Sequence, residues 1–169
     1  MTESSRKDPR IGADADTRTS GSARFALRAA TLDDVAAIVP RSSWLQAHEG
    51  IVISDAALET ALREMLGDPS LGGVWMIEDA GAVVGYAFIS FSFDLEFAGR
   101  EAWLTELLID DAARGRGAGT FALDALASVL RGLGVHAMHL QVRADNPALR
   151  LYERAGFTKV PRLIMSRRL

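Results

Sequence analysis

Residues Arg114 to Thr120 read RGRGAGT and separate a strand-like apolar run from a helix-like one. A glycine-rich turn that leads into a helix presents unpaired backbone N–H groups, and the helix dipole adds about half a positive charge there. Such a turn binds phosphate, and glycines without Cβ atoms let a pyrophosphate approach the backbone. The alternative is that the glycines only allow close packing of helix and strand. Three glycines with two arginines favour phosphate binding, by Arg114, Gly115, Arg116, Gly117, Ala118, Gly119 and Thr120.

The same stretch also limits which phosphate-containing ligands are expected. A P-loop requires a lysine after its last glycine, and this stretch has none, which argues against hydrolysis of ATP or GTP. The dinucleotide pattern G-x-G-x-x-G fails at Thr120, and the next strand-like run does not end in an acidic residue that could hold a ribose. A nicotinamide cofactor is therefore also disfavoured.

Composition predicts one globular domain. The chain has 169 residues, 49% hydrophobic and 24% charged, enough for one well-buried core. Residues 1–22 are predicted to be a polar tail, and residues 23–169 a single domain. A net charge of -3 predicts no general binding to nucleic acid or membranes, and the absence of a long apolar run predicts a cytoplasmic protein. With no cysteine and no ligand-like spacing of the three histidines, no metal site is predicted.

The elements that must position the glycine loop follow from periodicity. A strand is predicted at RFALRAA, then a helix that starts at Thr31 and is disturbed by Pro40, and a second helix from Ser54 to Gly67. Three runs, GGVWMIED, AVVGYAFISFSF and EAWLTELLID, predict an antiparallel meander. After the loop come a helix over residues 121–133, a strand at HAMHLQV, a short helix at NPALRLYERAG capped by Asn146, and two final strands at FTKV and RLIMSRR.

Two motifs in this order resemble the GNAT superfamily of acyl-CoA-dependent N-acetyltransferases. LTELLIDDAARGRGAG is similar to that family's pyrophosphate-loop motif, with Asp111 in place of the usual proline, and ADNPALRLYERAGF is similar to its second motif. The resemblance runs from about Arg24 to Leu169. It implies an α+β fold: a mixed, mostly antiparallel six- to seven-stranded sheet with splayed central strands, flanked by about four helices. It also implies acetyl-CoA as cosubstrate without a metal. Homodimers are common in that family, and the sequence leaves the oligomeric state open.

Transfer of an acetyl group to an amine needs a neutral amine, whereas a free alkylamine has a pKa of about 10. Glu106 lies within the apolar run AWLTELLI, where a carboxylate is costly unless it is functional or paired. We expect Glu106 to assist deprotonation through water, or to anchor the substrate ammonium. The alternatives are a solvent-facing Glu106, and His48 as the base.

The departing thiolate needs a proton. The resemblance implies that Tyr152 supplies it, and that Asn146 bonds the CoA chain; the alternatives are a packing tyrosine and an ordinary helix cap. The backbone of Leu107, Leu108 and Ile109 would pair with pantetheine as an added strand does, and a backbone N–H there would stabilise the oxyanion.

The acceptor is predicted to be a small-molecule primary amine. Trp44, His48 and Glu49 lie in the segment between the first two predicted helices, which the resemblance places at the acceptor site. Asp94, Glu96, Glu101 and Glu106 could hold a cation, in a layout similar to the diamine and polyamine acetyltransferases. Aminoglycoside, amino-acid and protein N-terminal or lysine acceptors stay open. A non-catalytic acyl-CoA-binding regulatory module and a nucleotide-binding structural domain are the other hypotheses.

Overall fold

The computed structural model describes residues 24–167, in which five strands form one mixed sheet. The strands are β1 (Phe25–Ala29), β2 (Gly72–Asp79), β3 (Ala82–Asp94), β4 (Gly99–Ile109) and β5 (Ala137–Leu140), in that spatial order. Neighbouring strands are antiparallel except that β5 runs parallel to β4. The helices are α1 (Val35–His48), α2 (Asp55–Gly67), α3 (Ala118–Gly132) and α4 (Leu149–Arg154). The predicted tail, residues 1–22, lies outside the described residues.

The sheet is covered on both faces. One core cluster lies between the sheet and α3, and includes Leu104, Leu123 and Leu126. The other lies between the sheet and the pair α1 and α2, and includes Ile38 and Tyr86. Such a layered α+β arrangement buries an apolar stripe of each helix, as the sequence predicts for the helix after the glycine loop.

The α+β class and the mostly antiparallel sheet are confirmed, but the strand count is lower than predicted. FTKV and RLIMSRR were expected to be the sixth and seventh strands, and residues 158–167 contain no strand. The apolar side chains of residues 158–167 are exposed, with Leu163 and Met165 each 92% accessible. Alternation alone does not make a strand, which also needs a partner for its backbone groups, and Pro161 has no N–H to donate.

Two helix boundaries also differ from the prediction. Pro40 does not disturb α1, which continues to His48. The tertiary contacts of α1, with Ile38 and Ser42 buried, offset the interior proline, whose cost is about 3 kcal/mol. Near the C-terminus, Asn146 caps a turn through a 2.8 Å bond from the Ala148 N–H, and α4 itself begins only at Leu149.

Candidate active site

A cleft of about 1350 Å³ opens between α1, the second half of β4, the glycine loop and the segment from Gln141 to α4. It exists because β5 pairs with β4 only as far as Leu104, while β4 continues to Ile109. Beyond that point the two strands splay, as predicted, and within residues 24–167 the backbone edge of β4 has no strand partner on that side. The predicted site residues that border the cleft are Trp44, His48, Glu49, Glu106, Leu107, Leu108, Ile109, Arg114, Gly115, Gly117, Ala118, Gly119, Thr120, Asn146 and Tyr152.

The glycine loop ends as the uncapped N-terminus of α3. Gly115 and Gly117 have φ angles of 71° and 96°, which side-chain-bearing residues rarely adopt. Gly117 is the N-cap, and no side chain of the described residues accepts a hydrogen bond from the first turn. The N–H groups of that turn therefore point into the cleft end without a side-chain partner, which is the arrangement that binds an anion.

Gly119 serves packing instead. A Cβ at this position would lie 2.9 Å from Cδ2 of Leu151, so the missing side chain lets α4 approach α3. The alternative interpretation of the glycines thus applies to Gly119, which still borders the cleft.

The two loop arginines differ in direction. Arg116 does not border the cleft: its guanidinium lies 3.2 Å from Asp79 on β2, although the sequence grouped it with the phosphate contacts. Arg114 borders the cleft, donates to the Ile109 carbonyl at 2.9 Å and pairs with Asp111 at 2.7 Å. Both guanidiniums are thus engaged by protein groups, and the backbone N–H groups supply the open donors.

A β-bulge aims Glu106. The register pairs Ile89 with Leu104 and Phe88 with Glu106, so Thr105 is one extra residue on β4. Leu104 packs in the α3 cluster, whereas Glu106, two residues later, contacts α1. Because alternation would place both on one face, the bulge is what turns Glu106 towards the cleft.

Three neutral donors hold the Glu106 carboxylate. Ser42 Oγ lies 3.1 Å from each oxygen and shares its one proton between them, and Gln46 Nε2 and the Tyr86 hydroxyl also donate. Burial and the Glu106 charge raise the pKa of Tyr86, which keeps its hydroxyl a donor. No cationic side chain among residues 24–167 forms an ion pair with Glu106. The half-buried carboxylate is thus an oriented anion and not a solvent-facing strand residue.

Sequence reasoning missed the three donors. Ser42 and Gln46 are four residues apart on α1, a spacing that puts both on one face, but the expected break at Pro40 hid that signal. Tyr86 lies 20 positions from Glu106 on the neighbouring strand, and no local pattern links the two.

Tyr152 lies on α4 with its ring at 5.9 Å from that of Phe157, in an edge-on arrangement. Its hydroxyl makes no hydrogen bond to a side chain or backbone group within the described range 24–167, and the residue borders the cleft. Burial raises the pKa of Tyr152, so the phenol stays protonated at neutral pH. The geometry therefore leaves one free O–H at the cleft.

The four acidic residues that the sequence places near the acceptor, Asp94, Glu96, Glu101 and Glu106, do not lie together at the cleft. Only Glu106 of the four borders the cleft. Glu101 is buried, where it accepts from Ser92 and Trp103 and lies 3.1 Å from His139 Nε2. Glu96 pairs with Arg162 at 2.7 Å, and Asp94 accepts from the Glu96 N–H at 2.8 Å. The predicted cluster is wrong because the three residues lie at the far end of the β3–β4 hairpin.

Trp44 and His48 lie on α1 instead of in a linker, and their rings stack at 5.2 Å and 8°. Glu49 follows at the C-cap of that helix. No group of three potential metal ligands occurs between residues 24 and 167. Over the same range, no helix is long and apolar enough to cross a bilayer.

A bulged, splayed sheet beside an uncapped glycine-loop helix defines the class of acyltransferases that take the acyl group from coenzyme A. The model of the acetyltransferase (GNAT) family matches residues 41–157, and the chain belongs to that family. It is an acetyl-CoA-dependent N-acetyltransferase.

Solved structures agree with this fold. An integron cassette protein from the mobile metagenome of Cole Harbour Salt Marsh has 28% identity and a TM-score of 0.75, over 85% of this chain and 90% of that one. A predicted acetyltransferase from Clostridium acetobutylicum, solved with acetyl-CoA, has 21% identity and a TM-score of 0.71, over 85% and 96%. An aminoglycoside acetyltransferase from an uncultured soil metagenomic sample has 13% identity and a TM-score of 0.67, over 86% and 96%. At the latter two identities the likeness shows the fold.

Proposed function

We propose that the protein transfers the acetyl group of acetyl-CoA directly to the primary amine of a small molecule, with Glu106 assisting amine deprotonation and Tyr152 protonating the thiolate. The observation that carries this proposal is the pairing, in one cleft, of an oriented anion without a cationic partner and a phenol whose hydroxyl is free, both judged over residues 24–167.

Glu106 provides the counter-ion for the incoming ammonium. Its oxygens already accept from Ser42, Gln46 and Tyr86, so the carboxylate keeps one orientation while the amine binds. An amine held there loses its proton to Glu106 or to water beside it, and the neutral nitrogen then attacks the thioester carbonyl. The new C–N bond forms as the carbonyl oxygen takes the negative charge.

Tyr152 completes the transfer. As the C–S bond breaks, the thiolate takes the phenolic proton, and the tyrosine regains a proton from solvent or from the amine. The raised pKa of Tyr152 keeps the proton in place until the thiolate needs it. Packing against Phe157 would explain why an aromatic ring stands at position 152. It would not explain why the ring carries a hydroxyl that has no hydrogen-bond partner among the described residues.

The chain's backbone supplies the sites for the coenzyme. The open edge of Leu107, Leu108 and Ile109 fits the amide groups of pantetheine, and an N–H of that edge would hold the oxyanion. The first turn of α3 fits the pyrophosphate. The side-chain oxygen of Asn146 already accepts a hydrogen bond from the Ala148 N–H. A contact between Asn146 and coenzyme A would therefore come from the side-chain NH2 group.

The test is release of CoA thiol from acetyl-CoA with a panel of amines, in the wild type and in Tyr152→Phe. Phenylalanine keeps the ring contact with Phe157 and removes only the acid, so we expect kcat to fall by about 10² to 10⁴ with unchanged affinity for acetyl-CoA. Equal rates in the two proteins would refute the role of Tyr152. Tight binding of acetyl-CoA without turnover of any amine would instead identify a regulatory module.

A further inference from the structure

We propose that the acceptor is a monoamine with an apolar body, aryl-alkyl or branched alkyl, and not a polyamine or an aminoglycoside. This inference rests on the proposed function of the same cleft. It depends on how many carboxylates the cleft offers and on what lies beside them.

The cleft interior, as the described residues form it, offers one carboxylate. Glu106 is held there by its three donors, whereas Asp94, Glu96 and Glu101 are used elsewhere in the fold. A diamine or an aminoglycoside would bring a second ammonium group into the cleft, where no second interior carboxylate from this part of the chain meets it. Desolvation of an unpaired charge is costly.

The other carboxylate that borders the cleft, among the residues that the structure describes, lies at its exposed rim. Glu49 is exposed at the end of α1, and Arg143, which also borders the cleft, pairs with Asp145 at 3.0 Å. An ion pair at an exposed carboxylate contributes little, because water and salt screen it. Glu49 therefore does not offset the cost of burying a second ammonium.

Apolar side chains form part of the cleft wall on the α1 side, near Glu106. Leu45, one residue before Gln46, borders the cleft, as does Ile51, whose side chain is 48% exposed. The Ile51 N–H bonds the Gln46 carbonyl at 2.8 Å, which fixes Ile51 close to the helix turn that holds Glu106. Trp44 and His48 add a stacked aromatic surface on the same helix. Exposed apolar side chains that border a binding cleft are the surface that an apolar ligand covers.

The experiment measures kcat/KM with saturating acetyl-CoA for matched amines. Phenethylamine and isoamylamine represent monoamines with an apolar body, ethylamine lacks the body, and putrescine, spermidine and kanamycin are polycations. We expect the first two to exceed each polycation by about tenfold or more, because only they cover the apolar wall without bringing a second charge. A short peptide with a free N-terminal alanine tests a peptide acceptor.

A matched pair of variants tests the wall. Ile51→Ser should lower the preference for phenethylamine over ethylamine by about threefold to tenfold, because it removes apolar contact area. Val52→Ser is the control: Val52 is the next residue in the same loop, 97% exposed, and does not border the cleft. It should leave that preference unchanged.

The outcomes separate the two proposals. A preference for a polycation or for the peptide, or equal effects of the two serine variants, would overturn the monoamine inference while acetyl transfer through Glu106 and Tyr152 stands. Turnover of none of the amines would overturn both.

Discussion

The orientation of the Glu106 carboxylate depends on the neighbours that donate to it, and Tyr86 is the most deeply buried of them. Tyr86→Phe removes one donor and keeps the ring, so Ser42 and Gln46 alone would hold the carboxylate. A hydrogen bond to a charged group contributes about 1.5–3 kcal/mol, and we expect kcat/KM for the amine to fall about tenfold. Steady-state kinetics measure this fall in kcat/KM, and acetyl-CoA titration measures the affinity for the coenzyme.

The matched comparison is Glu106→Gln, which keeps the shape and removes the charge. It should lower kcat/KM further than Tyr86→Phe does, while both variants retain acetyl-CoA affinity. If Tyr86→Phe were as active as the wild type, the carboxylate would not need Tyr86 for its orientation.

The raised pKa of Tyr152 predicts how kcat/KM depends on pH. Burial raises the pKa, so the acid form persists to higher pH than in a free phenol, whose pKa is about 10. We therefore expect kcat/KM to rise with pH as the amine loses its proton, with no falling limb from Tyr152 below about pH 10. A pH–rate profile checks this. A falling limb near neutral pH that disappeared in Tyr152→Phe would contradict it.

At the scale of elements, Asp34 ties β1 to the start of α1. Its oxygens accept two bonds from Arg28, both 2.8 Å, and one from the Thr31 N–H at 2.8 Å. Asp34→Ala leaves Arg28 with one carboxylate partner, Glu78, and removes the capping-box bond from the Thr31 N–H. We expect a loss of about 2–3 kcal/mol of unfolding free energy in urea titrations.

The same contact sets a pH dependence of stability. The hydrogen bonds from Arg28 lower the pKa of Asp34 in the folded protein. A lowered folded pKa contributes stability that is present above the unfolded pKa of about 3.9 and is lost as pH falls through the folded value. The difference in stability between wild type and Asp34→Ala should therefore shrink in acid. A difference that grew below pH 4 would exclude this assignment.

Two glycines at the ends of α3 should respond in opposite ways to alanine. Gly117 has φ of 96°, so Gly117→Ala should cost about 1–2 kcal/mol and weaken acetyl-CoA binding at the loop. Gly132 lies in the last turn, and a Cβ added there would meet nothing within 4 Å, so Gly132→Ala should stabilise by about 0.4–1 kcal/mol. Thermal unfolding measures the stability of both variants. A stabilised Gly117→Ala would show that the loop does not require a positive φ at position 117.

The elements that sequence predicted best are those with local signals. The Ser54 cap of α2, the turn at Gly81 and the glycine loop each depend on residues next to one another. α1 crosses Pro40 because contacts with distant strands offset the missing hydrogen bond, and the final two strands fail because no edge in residues 24–167 pairs with them. Local periodicity does not indicate which distant strands a helix contacts, or whether a strand has an edge to pair with.

At the scale of the whole molecule, the site forms where separately encoded parts meet. Glu106 was predictable as a carboxylate in an apolar run, but its direction depends on the bulge at Thr105 and its donors lie on α1 and β3. Arg116 was predicted at the phosphates, yet Asp79 of β2 engages it. Residue types predicted the chemistry, and only the packed fold determines which groups are free to perform it.

The cleft also predicts how ligands stabilise the whole protein. A ligand that binds only the folded state at 100 times its Kd adds about 2.7 kcal/mol, which raises the Tm of a domain of this size by about 5–10 °C. Acetyl-CoA should do so, because the loop and the open edge of β4 border one cleft. ATP and NAD at equal concentration lack pantetheine and should shift the Tm by less than about 2 °C.

Glu106→Gln is the control for this shift, since Glu106 is assigned to the amine and not to the coenzyme. We expect its unfolding temperature to rise with acetyl-CoA as much as that of the wild type. If NAD or ATP stabilised the protein as strongly as acetyl-CoA, the open edge of β4 would contribute nothing to binding. The glycine loop would then serve as a general nucleotide site, because the three ligands share the adenosine diphosphate unit and not the pantetheine.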